Sequence, residues 1–330
     1  MIKITFVTND IKQVATFHYY QMFLKNKEFD ITIVNPELSE VSENSDFLII
    51  PPYKDDLRNV DKLRKTYKRL CFLDPRNFNQ AKLIKSQDIV IIDSIEQFDF
   101  ASKFTKNIFI YSEFPLFEIN KKRHLKKSNK INIYYHGNKV HLNSSKYTLL
   151  RALKRIESKY DITFHVCYNY KKLGKFKFDL DSVIYHQWHK NIHKEISKEM
   201  DIGVAPNFIP VRANNFFKKI LSSRKNNSSG EDYLHRFKIP SNPGRIITMI
   251  MMGIPVISDM YPSACQLIKH EYNGFLVSSE SGWYNALEKY INSIQLRKIH
   301  SERLYQVYEN EFEPTIQNEK LYKFLKTYMD

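Results

Sequence analysis

The residues best placed to do chemistry fall in one stretch, Arg236-Phe237-Lys238-Ile239-Pro240-Ser241-Asn242-Pro243-Gly244-Arg245-Ile246-Ile247, which runs on to Gly253-Ile254-Pro255-Val256-Ile257-Ser258. A Pro/Gly/Ser loop opens a helix, and a tight Gly-Ile-Pro turn leads from that helix into a buried strand. The start of a helix presents unpaired N–H groups and the positive end of a dipole, so it binds phosphate readily. Lys238 and Arg245 flank this start. Two cations so placed clamp a diphosphate, and Arg does so bidentately.

The charge is equally localised. The 330-residue chain carries a formal net charge of +15 at pH 7, from 51 Lys+Arg and 36 Asp+Glu. Residues 119–237 hold 25 Lys+Arg against 9 Asp+Glu, whereas 1–118 sum to −1 and 238–330 to zero. Clusters recur at Lys121-Lys122-Arg123, Lys171-Lys172, Lys175-Phe176-Lys177, Lys218-Lys219 and Arg224-Lys225. A basic surface confined to one segment implies an anionic partner: a phosphate-bearing substrate, an anionic lipid or a nucleic acid.

The elements that position these residues repeat one theme. Short β-branched runs at 2–8, 30–35, 46–51, 69–74, 88–93 and 107–111 alternate with helical stretches such as 12–25 and 56–68. Phe47-Leu48-Ile49-Ile50 and Ile89-Val90-Ile91-Ile92 show no polar alternation, which suits strands buried on both faces. The basic stretch 119–130 lacks apolar periodicity and reads as a linker. After it the theme restarts: strand 131–136, helix 146–158, strands 161–168 and 183–188, helix 191–198, strand 201–205, polar stretch 207–229, helix 245–252, strands 254–258 and 275–277, helix 282–294. The expectation is α/β, with two Rossmann-like doubly wound domains (1–118 and 131–313) facing a central cleft; residues 314–330 form a helix that packs back on the first.

Composition narrows the classes. Apolar residues make 42% and charged residues 26%, the balance of a soluble globular protein. No apolar run approaches the ~18 residues that span a bilayer, and the N-terminal run reaches Asn9-Asp10 too soon for a signal peptide. The three Cys are widely spaced with no CxxC pair. That argues against a disulfide framework and for a reducing, cytoplasmic setting.

The 236–258 stretch resembles the donor half of GT-B glycosyltransferases, especially glycosyltransferase family 4 (group 1), in which a Gly-x-Pro-Val-Ile turn follows the helix that holds the nucleotide diphosphate. Tyr135-His136-Gly137-Asn138, Asp201-Ile202-Gly203-Val204-Ala205-Pro206 and Tyr272-Asn273-Gly274-Phe275-Leu276-Val277 stand in the order of that family. Many retaining members carry two glutamates eight positions apart; the corresponding residues here are Pro240 and Thr248. The chain resembles instead the subgroup with a Lys-x-x-Ser…Arg loop. The resemblance covers about 131–312, and the N-terminal half matches in architecture alone.

It implies an enzyme that moves a sugar from a nucleotide-sugar donor to a glycan or lipid-linked acceptor, in bacterial surface polysaccharide or glycolipid synthesis. Neither a cofactor nor a metal is expected, since protein cations stabilise the leaving diphosphate and no Asp-x-Asp is present. Arg245 and Lys238 are assigned to the diphosphate, with Ser241, Asn242, Gly137 and Lys139 beside them. Thr248 points towards the ribose, and Trp188 or His189 lies near the base. Asp10 and His136, each ending a first strand, are the candidate catalytic bases.

His186, His189 and His193 do not make a convincing metal set, although 189 and 193 would share a helical face. Phe216, Phe217, Ile220 and Leu221 lie on one side of a basic amphipathic element, the kind that settles a cytoplasmic enzyme on the anionic inner face of the membrane. Two other readings stay open: a different GT-B enzyme, either a nucleotide-sugar epimerase or a polyol-phosphate transferase, and a basic nucleic-acid-binding protein. Against nucleic acid as a partner, the aromatic residues near the Lys clusters lie within β runs and form no stacking platform.

Overall fold

Apolar runs without polar alternation become strands covered on both faces: every residue of Phe47–Ile50 and of Ile89–Ile92 is buried. The computed structural model describes residues 1–330 except 9–10, 12–13, 36–44, 52–59, 68, 76–80, 119–129, 211–234, 237–240 and 330; at 14, 209–210 and 235–236 it describes the backbone alone. Two compact units are present. The first comprises Met1–Leu116, Ile239–Gly244 and Tyr308–Asp330, and the second Phe117–Lys238 and Arg245–Val307.

The first unit holds β1 (Ile2–Val7), β2 (Phe29–Val34), β3 (Phe47–Ile50), β4 (Cys71–Leu73), β5 (Ile89–Ile92) and β6 (Ile108–Ile110). All pair in parallel in the order β2-β1-β3-β4-β5-β6, with register marked by Ile4↔Phe47 and Cys71↔Ile89. Helix Pro314–Lys326 belongs here and is fastened by buried Asn318. The amide of Asn318 accepts from Tyr111 Oη at 2.7 Å and donates to the Met22 carbonyl at 2.8 Å.

The second unit holds β7 (Ile131–His136), β8 (Ile162–Tyr168), β9 (Val183–Gln187), β10 (Ile202–Ala205), β13 (Val256–Asp259) and β14 (Phe275–Val277), while β11 (Ile209–Pro210) and β12 (His235–Arg236) form a two-residue antiparallel ribbon. The six-stranded sheet runs β14-β13-β10-β7-β8-β9, again all parallel. Its order reverses between β7 and β10: the chain leaves β7 towards β8 on one side and places β10 on the other. Loops leaving the carboxyl ends of those two strands diverge, which opens the usual ligand position of such sheets. Trp283, Leu287 and Tyr290, along one face of helix Glu280–Asn292, complete the core beneath.

Local differences from the sequence reading have identifiable causes. Helix 146–158 begins only at Leu149, because Asn138 caps a separate helix, Lys139–Ser144, by accepting from the Val140 N–H at 3.1 Å. Ser279 caps the Gly282 N–H at 3.1 Å and so starts the late helix at Glu280, before the expected 282. All of the expected linker 119–130 but its last residue, and the amphipathic element (214–221), lie outside the described residues. Among the described residues no helix is long and apolar enough to cross a membrane.

Candidate functional site

Arg245 opens helix Gly244–Met251, as its place after the Pro/Gly loop predicts. The half-buried guanidinium turns to the loop after β10, where Nη1 donates to the Pro206 carbonyl at 2.8 Å and Nη2 to Asn207 Oδ1 at 2.7 Å. A guanidinium has five N–H donors. Three therefore remain unengaged among the described residues, beside the reversal between β7 and β10.

The other wall comes from the end of β7. His136 Nε2 lies 3.1 Å from the Arg245 carbonyl oxygen. Since a carbonyl can only accept, Nε2 carries the proton. Burial pushes the His136 pKa well below the usual histidine range, the neighbouring His193 and the charge of Arg245 push it the same way, and the hydrogen bond to the Arg245 carbonyl opposes them. The imidazole is thus neutral at pH 7, with its lone pair on Nδ1. Its ring lies 4.7 Å from that of His193, whose Nδ1 is 2.9 Å from Tyr134 Oη.

Gly137 follows with φ +146°, a conformation that L side chains rarely adopt. A Cβ there would stand 3.0 Å from Tyr135 Oη and 3.1 Å from Arg245 Cδ. Only glycine lets the β7 loop pass this close to the arginine. Lys139 donates through Nζ to the Leu173 carbonyl at 2.9 Å, which holds its charge over the loop after β8.

A buried carboxylate at the end of β13 sets the β10 loop. Asp259 accepts from the Asn207 N–H at 2.6 Å, the Phe208 N–H at 2.9 Å and Trp283 Nε1 at 3.2 Å. Asn207, Asp259 and His193 were not singled out for these roles in the sequence. The only signal was that each follows or faces a buried strand end.

The remaining expected site residues are more scattered. Ser241 and Asn242 group with the first unit: Ser94 Oγ donates to the Ser241 carbonyl, and Asn242 Nδ2 donates to Asp93 at 3.1 Å. Thr248 is fully buried within its helix. Trp188 is half-buried and His189 exposed, both beyond the edge strand β9. Asp10 and Lys238 lie outside the described residues.

His189 precedes helix Ile192–Ile196, so it does not share a helical face with His193 as its spacing suggested. It faces Glu195 at 3.4 Å, while His186 pairs with His165 at 3.0 Å. In the first unit, Tyr19 Oη donates to Asp93, and His18 Nδ1 lies 2.7 Å from Glu113 Oε2. The latter is a largely buried histidine–carboxylate pair.

Compared with solved structures, the whole chain matches HepE of Anabaena, crystallised with UDP and glucose, at a TM-score of 0.64 and 12% identity, covering 99% of this chain and 100% of that one. The chain has the GT-B fold of glycosyltransferases. A glycosyltransferase from Rickettsia africae shares this GT-B fold at TM-score 0.63 and 12% identity, over 99% of this chain and 98% of that. Sucrose-phosphate synthase of Thermosynechococcus elongatus does so at 0.63 and 10%, over 99% of each chain. No protein-family model and no curated protein sequence matches the chain.

Proposed function

We propose that this GT-B chain is a glycosyltransferase. In this reading it binds a nucleotide-sugar donor by its diphosphate at Arg245 and passes the sugar to a glycan or lipid-linked acceptor of a bacterial surface polysaccharide or glycolipid. One observation carries the reading. The Arg245 guanidinium is held at the strand-order reversal by two hydrogen bonds and keeps three N–H donors for a ligand.

Arg245 and the helix start neutralise charge as it develops on the leaving diphosphate. Preorganised donors of this kind are worth about 3–4 kcal/mol each in a transition state. Gly137 admits the phosphates close to the β7 backbone, and Lys139 and Lys238 add positive charge. His136 positions Arg245 through the helix backbone. With the countercharge supplied by the chain, EDTA leaves transfer unchanged.

The HepE structures, crystallised with UDP and with UDP-glucose on the same fold, make UDP-sugars the first donors to try. Acceptor-dependent release of UDP from a UDP-sugar, in the presence of extracted glycolipids, is the expected result. Failure to release nucleotide from UDP-, GDP- and CDP-sugars alike would refute the proposal. The inner face of the cytoplasmic membrane is the proposed location. Sedimentation with anionic vesicles should fall with added salt and in the Phe216→Ala, Phe217→Ala double variant.

A further inference from the structure

A cavity in the second unit uses none of the residues placed near Arg245. It measures about 300 Å³ and lies between helix Leu149–Glu157 and the segment 174–182 that leads into β9. Phe176, Phe178, Leu150 and Leu180 form its apolar wall, and Lys146, Arg151, Lys154, Lys177 and the exposed Asp179 stand around it. Lys154 is already committed to carboxylates: Glu157 at 2.7 Å, Asp179 at 3.8 Å and Asp181 at 4.0 Å. Lys146, Arg151 and Lys177 have no ion pair among the described residues. Among the described residues their ring contacts are Lys146 over Phe176 and Arg151 over Tyr147.

The wall is held in shape before any ligand arrives. Tyr168 Oη accepts from the Phe176 N–H at 2.7 Å and donates to the Gly174 carbonyl at 2.9 Å. Glu157 accepts from the Asp181 N–H at 2.9 Å, and Tyr185 donates to the Phe176 carbonyl. A preformed apolar wall with several convergent cations lowers the ordering cost of binding. Three uncompensated cations call for a group of more than one negative charge, and Arg151 grips a phosphate bidentately. The space fits one ring.

We propose that this cavity binds a phosphate-bearing sugar or polyol ring, with the phosphate among Lys146, Arg151 and Lys177 and the C–H face of the ring on Phe178 and Leu180. The ring is either free or the headgroup of a lipid. Either form presents the same chemistry to the cavity.

The test is site-resolved lysine acetylation of the full chain, read by mass spectrometry. Glucose 6-phosphate is expected to slow acetylation of Lys146 and Lys177 severalfold, leave Lys289 unchanged, and lose this effect in Arg151→Gln. Arg151 is exposed, so the thermal melt of that variant should match wild type and exclude misfolding. Glucose alone should not protect. Protection by phosphatidylinositol vesicles in place of glucose 6-phosphate also supports the site and identifies the lipid as the source. No protection by either overturns the proposal, as does equal protection by inorganic phosphate. Protection of these lysines by UDP would overturn their separation from the donor site.

Discussion

His136 Nε2 donates to the main-chain carbonyl of Arg245 at 3.1 Å, so one hydrogen bond joins the end of β7 to the first turn of helix Gly244–Met251. The bond fixes the tautomer of the histidine and the placement of the arginine together. An imidazole with its Nε2 proton engaged and its pKa depressed serves better as a strut than as a proton relay.

His136→Ala removes that strut; the Arg245 carbonyl keeps its place in the helix ladder, so the cost is that of one net hydrogen bond, about 0.5–1.5 kcal/mol. His136→Gln, whose amide N–H can reach the same oxygen, should recover most of the stability and of the donor affinity. Calorimetric titration with UDP-sugars checks this. If Gln and Ala lose affinity equally, the role of the imidazole is not positional.

Gly137→Ala should weaken donor binding and stability together. The φ of +146° is strained for any L residue, and the added Cβ would press on Tyr135 Oη and Arg245 Cδ. Strain of this kind costs roughly 1–3 kcal/mol. Urea unfolding measures the first effect and donor titration the second.

Asn318→Ala tests the seat of the C-terminal helix in the first unit. Its amide answers Tyr111 Oη and the Met22 carbonyl, and both would be left buried without that partner. The Met22 carbonyl keeps the Lys25 N–H at 3.1 Å, so the unsatisfied group is the Tyr111 hydroxyl, at about 1–3 kcal/mol, and the urea midpoint should drop clearly. Glu319→Ala, at an exposed i,i+4 pair with Lys323 on the same helix, should change it little.

Acid should loosen the second unit in part through His165. Burial and the adjacent His186 bring its pKa down to about 4, while an unfolded histidine titrates near 6.5. The folded state therefore binds fewer protons than the unfolded one between those values. Stability falls as pH drops through about 6.5 and levels off below about 4. Melting temperatures across that range should show the slope, and His165→Asn should reduce it without abolishing it, because His136, His186 and His300 are also held below the usual histidine range.

The parallel sheets were legible because strands buried on both faces leave unbroken apolar runs, as in Phe47–Ile50 and Ile89–Ile92. Arg245 and Gly137 were legible because a Pro/Gly loop before a helix and a glycine ending a strand are local signals. Asn207 and Asp259 were not, since the partners Arg245 and Trp283 reach them only through sheet order, across 38 and 24 residues. The same holds for Ser241 and Asn242. Three or four residues from Arg245 in sequence, they bond to Ser94 and Asp93 in the first unit, 147 and 149 residues away along the chain.

The most direct measurement is a thermal-shift titration of wild type and Arg245→Ala with UDP-sugars. At 100 times its dissociation constant a bound donor stabilises the wild type by about 2.7 kcal/mol. Arg245→Ala, which takes a donor from the Pro206 carbonyl and from buried Asn207, should melt below the wild type without ligand, still in one cooperative transition, and show no shift with it. An undiminished shift in that variant would contradict a diphosphate site at Arg245.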